Sequence, residues 1–299
     1  MPGVSRHDIA MWFDHQDTVI RLATERLGEL QEFQNLPPEN NFVWSVKAGG
    51  HSYIVKIGPI RPYRLRREIR AYDHLADNDL PIPSVIESGE VENMPFLILT
   101  QNGYRTAQDL FADNRKLVEP GLISRILDGL WRLSALDCKS FDMIKDGVTT
   151  RDRDVQRLEY TKNLAGLNSI HLDLLDRLES VNSRPYFRMA HRDFSPRQVV
   201  LNGKGATLID FESIGPGLLE RDIGDFVGGI LKFGIFHGEY GLEAAKFATT
   251  NGLNCDLISD HAIYSLLWSI AKSTPVESVN MRLDLATKLL NKKDWLTTP

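Results

Sequence analysis

Apolar positions across residues 5–27 recur at helical spacing (Ile9, Trp12, Phe13, Val19, Ile20, Leu22 and Leu27) and predict an opening helix. Strand patterning then takes over. Residues 33–36, 42–46 and 53–57 read as three strands, the last two joined by the turn Ala48-Gly49-Gly50-His51. Between the first two, residues 37–41 (PPENN) are turn chemistry. Helical spacing returns from Pro62 to Ala76, with Leu65, Ile69, Tyr72 and Leu75 on one side and Pro81 and Pro83 beyond the end. Residues 85–90 and 96–99 add two more strands.

After Gly103 the pattern becomes mostly helical. Residues 120–136 carry Leu122, Ile123, Ile126, Leu127, Leu130 and Leu133 at helical spacing, and residues 159–181 read as another single helix. Short strands reappear at 199–201 and 207–209, and the chain is helical again from Asp222. The pattern predicts an α+β chain that divides near residues 100–104. Residues 1–102 would form a small strand-rich lobe with one central helix after the leading one. Residues 103–299 would form a larger, mostly helical lobe.

Composition agrees with two globular lobes. The chain has 299 residues, 42% hydrophobic and 25% charged. That composition excludes a disordered, collagen-like or coiled-coil chain. The formal charge is −5, which argues against nucleic-acid binding by bulk positive charge. Arg61, Arg64, Arg66, Arg67 and Arg70 form a local basic run, whose plainest reading is a solvated helix face. Two distant cysteines, Cys138 and Cys255, build neither a disulfide framework nor a metal motif. The N-terminus lacks the apolar core of a signal peptide. The longest apolar stretch, residues 226–236, is interrupted by Lys232 and is too short to span a bilayer. These features predict a soluble, cytoplasmic protein without a membrane partner.

The chemistry concentrates in residues 189–226. Asp193 follows His191 and Arg192 and precedes Gln198 by five residues. Asp210 ends an apolar strand in Ile209-Asp210-Phe211-Glu212, 17 residues after Asp193. A loop, strand, turn and second strand would bring two carboxylates and one amide oxygen into a small volume. Hard oxygen donors of that kind suit Mg2+ with its phosphates. Ordinary turns also supply Asp and Pro, so the motif alone decides little.

His-Arg-Asp followed by an Ile-Asp-Phe strand end resembles the protein-kinase-like catalytic core. In detail it resembles the aminoglycoside phosphotransferase family, which includes kinases of choline, sugars and other small metabolites. The resemblance spans most of the chain. It implies a bilobal, protein-kinase-like α+β fold, a nucleotide (ATP, with GTP as the alternative) and Mg2+. Asp193 would be the catalytic base, and Asp210 and Gln198 the metal ligands. Lys56, in the strand YIVKI, resembles the lysine on the α/β-phosphates, and Glu68 the glutamate that pairs with it. Thr100 and Gln101 resemble the hinge whose backbone receives the purine. His191 would brace the loop, and Asp222 would hydrogen-bond back to it. Asp225 has no assigned role. Glu212 would reach metal or substrate, or face solvent.

Three departures qualify the resemblance. Gln198 stands where the family has asparagine, with the same amide chemistry on a longer stem. Arg192 replaces a small residue and would pair with Asp225 or Glu220, or lie near substrate. The loop PPENN has no glycine to bring backbone N–H groups onto phosphates, which leaves the Asn40 or Asn41 side chain for that contact. The short segment after Phe211 leaves little room for peptide docking. The implied reaction is therefore γ-phosphoryl transfer to a small hydroxylated acceptor, such as an aminoglycoside or other antibiotic, an amino sugar, a sugar or an amino alcohol. Residues 216–299 hold ten acids and eight Lys or Arg, too even to form a cation trap. Trp131, Trp268, Tyr240 and Tyr264 are candidates for a sugar or quaternary-amine pocket, or for core packing. A catalytically weak, nucleotide-binding regulator is the alternative. The sequence does not specify an oligomeric state.

Overall fold

The computed structural model describes residues 15–36, 41–113, 119, 121–138, 141, 143–145, 148–164, 166–182, 188–203, 205–232, 238–270, 276–292 and 295–296. Residues 5–14 of the expected first helix, and 37–40 of the expected turn, lie outside them. The chain divides into two compact units, Met1–Tyr104 with Ile209–Ser213, and Arg105–Leu208 with Ile214–Pro299.

The first unit is an antiparallel sheet with two helices. Strands β1 (Leu30–Leu36), β2 (Phe42–Ala48), β3 (His51–Ile57), β4 (Val85–Val91) and β5 (Met94–Thr100) lie in the order β1-β2-β3-β5-β4. Gly49 and Gly50 make the β2–β3 turn at φ +57° and +78°, which glycine adopts without steric cost. Strand β2 alternates buried and half-buried positions, so Phe42, Trp44 and Val46 share one face. Helix α1 (Gln16–Leu27) lays Val19, Leu22 and Ala23 against that face, with Val55, Ile57, Phe96 and Ile98 completing the core. Each of the larger aliphatic and phenylalanine side chains contributes roughly 1.5–3 kcal/mol on burial. Helix α2 (Pro62–Leu75) packs against β5, whose five central residues are all buried. Pro62 opens α2 at a position where its missing N–H costs nothing.

The Arg61–Arg70 run is not one solvated face. Arg67 is buried on α2 beside Leu65, Glu68, Ala71, Tyr72 and Leu75, and Arg64 is half-buried. Only part of the run, such as Arg66, meets solvent.

The second unit is mostly helical: α3 (Ala107–Asp113), α4 (Leu122–Ser134), α5 (Thr150–Lys162), α6 (Ser169–Asn182), α7 (Leu219–Leu231), α8 (Gly238–Thr250), α9 (Cys255–Ile270) and α10 (Val276–Asn291). Short ladders join them: β6 (Arg105–Thr106) with β10 (Val199–Asn202) and β11 (Gly205–Leu208), β7 (Met143–Lys145) with β8 (Val148–Thr149), and β9 (Arg188–Ala190) with β12 (Gly215–Gly217). The single helix expected over 159–181 is two. Gly166 turns left-handed at φ +87°, and the Asn168 side chain accepts from the His171 N–H at 3.2 Å to start α6. The α7–α9 contact is close because Gly224 and Gly228 face it. A Cβ at 224 would stand 2.4 Å from His261 Cβ, and one at 228 would stand 2.5 Å from the Ala262 carbonyl oxygen.

Residues 209–213 belong with the first unit rather than with the helical part. Phe211 meets Tyr72 of α2 edge-on, 5.4 Å between ring centroids, and Glu212 pairs with Arg64. Among the described residues, no helix is long and apolar enough to cross a membrane.

Candidate functional site

Strand β3 carries Lys56 one residue before its C-terminal end, and α2 carries Glu68 on its buried face. Lys56 Nζ donates to Glu68 Oε1 at 2.7 Å and lies 3.6 Å from Asp210 Oδ1. The lysine side chain is 11% exposed, which rules out a merely solvated lysine. Burial alone would lower its pKa. Glu68, Asp210 and Glu212 outweigh burial and push it up, so the ammonium stays charged. Asp210 follows β11 at φ +68°, a left-handed conformation that costs a non-glycine residue roughly 1–2 kcal/mol. Its side chain keeps 30% exposure, the most open carboxylate of this group. Glu212 does not face solvent. It is buried and bonded to Arg64 Nη1 at 2.7 Å. Burial and the neighbouring Asp210 push its carboxyl up to about 7, against the pull of Arg64.

The second unit builds its own nucleus around the loop after β9. Pairing of β9 with β12 fixes where that loop begins. Asp222, in the first turn of α7, then takes two backbone amides: His191 N–H at 2.6 Å and Arg192 N–H at 2.8 Å. A carboxylate there also faces the positive end of the helix dipole. Burial pushes the Asp222 carboxyl up, opposed by His191 and these amides. Phe194 stacks on Phe226 at 5.3 Å and packs on the His191 ring at 5.4 Å. His191, Arg192 and Phe194 are buried, whereas Asp193 between them is exposed. Thus the loop seals its neighbours into the unit and leaves one carboxylate outside.

Gln198 ends a short 3-10 turn, Pro196–Gln198, whose proline fills the space left by Gly229. The Ser195 hydroxyl donates to the Gln198 amide oxygen, which leaves that oxygen one further lone pair.

Among the described contacts, Arg192 meets Asp154 rather than the expected Asp225 or Glu220. Its guanidinium reaches Asp154 Oδ1 at 2.9 Å and the Pro216 carbonyl at 2.7 Å, while Asp225 lies 3.7 Å from Arg221. Burial pushes the Asp225 carboxyl up to about 6.

Three other predicted contacts come out differently or more narrowly. The Thr100 and Gln101 N–H groups are already given to the carbonyls of Ser84 and Ser52, each at 2.9 Å. A purine at this hinge would therefore need their carbonyls or a neighbouring N–H. Asn41 is buried, and its Oδ1 has no hydrogen-bond partner among the described residues. An acceptor does not suit a phosphate oxygen, so the amide would have to present its Nδ2. Tyr240 and Tyr264 are core residues. The faces of Trp131 and Trp268 carry the guanidiniums of Arg188 and Arg157, at 5.4 and 5.7 Å, where a quaternary amine would otherwise stack.

The model of the phosphotransferase enzyme family matches residues 32–243. The chain belongs to that family. A comparison with curated proteins gives no match. Among solved structures, the chain is similar to the aminoglycoside phosphotransferase APH(4)-Ia, with TM-score 0.62 and 16% identity, covering 95% of this chain and 99% of that one. A thermostable mutant of the same enzyme, in ternary complex with ADP and hygromycin B, matches with TM-score 0.58 and 17% identity over 94% and 98% of the two chains. A putative aminoglycoside phosphotransferase from Ralstonia eutropha JMP134 matches with TM-score 0.57 and 13% identity over 92% and 98%. At these identities the likeness is one of fold, the kinase-like α+β fold of the phosphotransferases.

Sequence reasoning missed Asp154, Arg221 and His261. Arg221 Nη1 meets Asp154 Oδ1 at 2.5 Å. His261, on α9, is buried with neither ring nitrogen hydrogen-bonded among the described residues. Burial, aided by Arg221, pushes its pKa down to about 3. In sequence, Asp154 sits in Arg151-Asp152-Arg153-Asp154, which reads as an ordinary charged helix face. His261 carries no motif at all.

Proposed function

We propose that this member of the phosphotransferase family moves the γ-phosphoryl group of ATP to a hydroxyl of a small molecule. The observation that carries this reading is the exposed Asp193 on a loop whose flanking residues are buried and whose amides are fixed by Asp222. Asp193 accepts the acceptor proton as the new O–P bond forms and the bond from Pγ to the β-phosphate oxygen breaks, releasing ADP. Lys56, oriented by Glu68, holds negative charge on the α/β-phosphates. Its charge is placed before the reaction begins, so none of it has to be reorganised during transfer.

The donor chemistry fits Mg2+. Asp210 is an accessible carboxylate, and Gln198 retains a lone pair on its amide oxygen. Among the described residues, no cluster of three or more His, Cys, Asp or Glu side chains could hold a metal. Phosphate oxygens would complete its coordination, as they commonly do for Mg2+. The ion would supply positive charge against the β/γ-phosphates, with Asp210 and Gln198 as its protein ligands.

The hygromycin B and ADP bound in the APH(4)-Ia complex support a polyhydroxylated acceptor and an adenine nucleotide. The even charge of residues 216–299 gives equal standing to amino sugars, sugars and amino alcohols. ADP release from Mg-ATP, measured against aminoglycosides, other hydroxylated antibiotics, amino sugars, sugars and choline, tests this reading, with Asp193→Ala as control. An acceptor-dependent signal that the variant lacks supports it. Nucleotide binding with silence across the panel favours a nucleotide-binding regulator instead.

A further inference from the structure

We propose that Asp154, on α5, is a positioning residue for the catalytic loop, holding Arg192 in the conformation that presents Asp193. The inference rests on the proposed role of Asp193. Arg192 has φ +67°, a region that favours glycine, yet the residue there is an arginine. Both terminal nitrogens of its guanidinium are fixed, Nη1 to the Pro216 carbonyl at 2.7 Å and Nη2 to Asp154 Oδ1 at 2.9 Å, and its backbone N–H donates to Asp222 at 2.8 Å. The stem is tightly seated as well, since a Cβ at Gly217 would lie 3.3 Å from Arg192 Cγ.

Asp154 and Arg192 side chains are each only 2% exposed, so the pair is sealed from solvent. The same Oδ1 also forms an ion pair with Arg221 Nη1, from the helix that carries Asp222. One carboxylate therefore ties α5 to both halves of the loop's support, Arg192 within it and α7 beneath it. Burial alone would raise the Asp154 carboxyl, but Arg221 and Arg192 outweigh it and hold its pKa down. Without that charge, two buried guanidiniums would share a pocket that has lost the carboxylate between them, with Asp225 3.7 Å from Arg221 on the other side, and the Arg192 side chain would be held less firmly inside. A displaced Arg192 carries its neighbour Asp193 with it.

The test compares Asp154→Asn, Arg192→Gly and the double variant, all well below their melting temperatures. Asp154→Asn is expected to lower kcat about 10- to 100-fold, the scale of a slightly misplaced reacting group, with KM for ATP within about threefold. Glycine at 192 accepts the left-handed conformation without a clamp. The double variant is therefore expected to be faster than Asp154→Asn alone. Hydrogen exchange at the amides of residues 191–193, which needs no acceptor, is expected to quicken in Asp154→Asn beyond any global change and to slow again in the double variant. Unchanged exchange in 191–193, or no recovery in the double variant, overturns the proposal. If Asp154→Asn does not fold, Arg192→Lys reads the same clamp, because an ammonium cannot span the Asp154 carboxylate and the Pro216 carbonyl together. Exchange at 191–193 as slow as in the unaltered protein would then overturn it. Absence of transfer in the unaltered protein would instead defeat the proposed function, and the exchange data would still decide the clamp.

Discussion

The two units each contain a charged nucleus, and the nuclei are built to opposite plans. In the first, Lys56, Glu68, Asp210, Glu212 and Arg64 leave a way out: the lysine keeps some exposure and Asp210 nearly a third. In the second, Asp154, Arg192, Arg221 and Asp222 are closed off, while the adjacent Asp193 reaches solvent. Both place a non-glycine residue left-handed at the decisive point, Asp210 at φ +68° and Arg192 at +67°. The only other non-glycine residues with positive φ, among those described, are Glu92 and Asn93 in the β4–β5 turn. Strain in the first nucleus falls on the carboxylate proposed to bind ligand, Asp210 itself. In the second it falls one residue before the proposed base, Asp193, and is held by buried ion pairs. An open nucleus is suited to binding, and a sealed one to holding a neighbouring side chain still.

On this contrast, the open nucleus is expected to fail by losing ligand. Lys56→Met is expected to cut kcat/KM for ATP by about 10²–10³-fold, the usual cost of one preorganised charge contact, while Asp193-loop exchange stays unchanged. Steady-state kinetics on ATP, paired with hydrogen exchange, would check it. Equal disturbance of both units would break the distinction.

The sealed nucleus should show itself in pH dependence instead. His261 is buried neutral, with its pKa near 3 in the folded protein against about 6.5 when unfolded. The unfolded chain therefore binds the extra proton first. The histidine's contribution is complete above pH 6.5 and falls as the pH drops through that window, by about 1.4 kcal/mol per unit. Asp225 and Glu212, whose carboxyls are raised, slope the opposite way between about pH 4 and their own pKa values of about 6 and 7. A difference measurement separates them. His261→Leu is expected to gain on the unaltered protein by about 2 kcal/mol between pH 7 and pH 5. Urea melts at the two pH values would show it, and parallel acid losses in both proteins would refute it.

The smallest effect should come from outside both nuclei. Arg66 and Glu90 form an exposed pair at 2.7 Å, with side chains 48% and 54% exposed. Arg66→Ala is expected to change stability by no more than about 0.5 kcal/mol, although Arg66 lies in the same run as Arg64. A larger loss in a denaturant melt would mean that exposure is the wrong way to rank these ion pairs.

What the sequence could show followed the range of the interactions. The hairpin at Gly49-Gly50, the amphipathic α2 and the strand carrying Lys56 are written in short-range periodicity. Lys56, Glu68, Asp193 and Asp210 stood out as candidates because motif and order marked them. The break at Gly166 was hidden because flanking residues keep helical spacing through it. Arg192's partner was hidden for a different reason. Asp154 lies 38 residues earlier on a helix with no motif, and only the folded unit brings the two charges together. The nearer acids, Asp225 and Glu220, were natural candidates from sequence distance, but the shared Asp154 carboxylate meets both Arg192 and Arg221. Exposure was equally illegible: nothing in Phe211-Glu212 announces that the glutamate is buried against Arg64.

The central claim is a division of labour, with nucleotide held by Lys56 and Asp210 and the acceptor proton taken by Asp193. Its most direct test is one protein read two ways: Asp193→Ala, titrated with Mg-ATP by calorimetry and assayed for transfer of labelled γ-phosphoryl to the acceptor found in the panel. The account predicts nucleotide affinity within about threefold of the unaltered protein and a transfer rate lower by about 10²–10⁴-fold. Transfer that survives the substitution, or nucleotide affinity that disappears with it, would contradict the account.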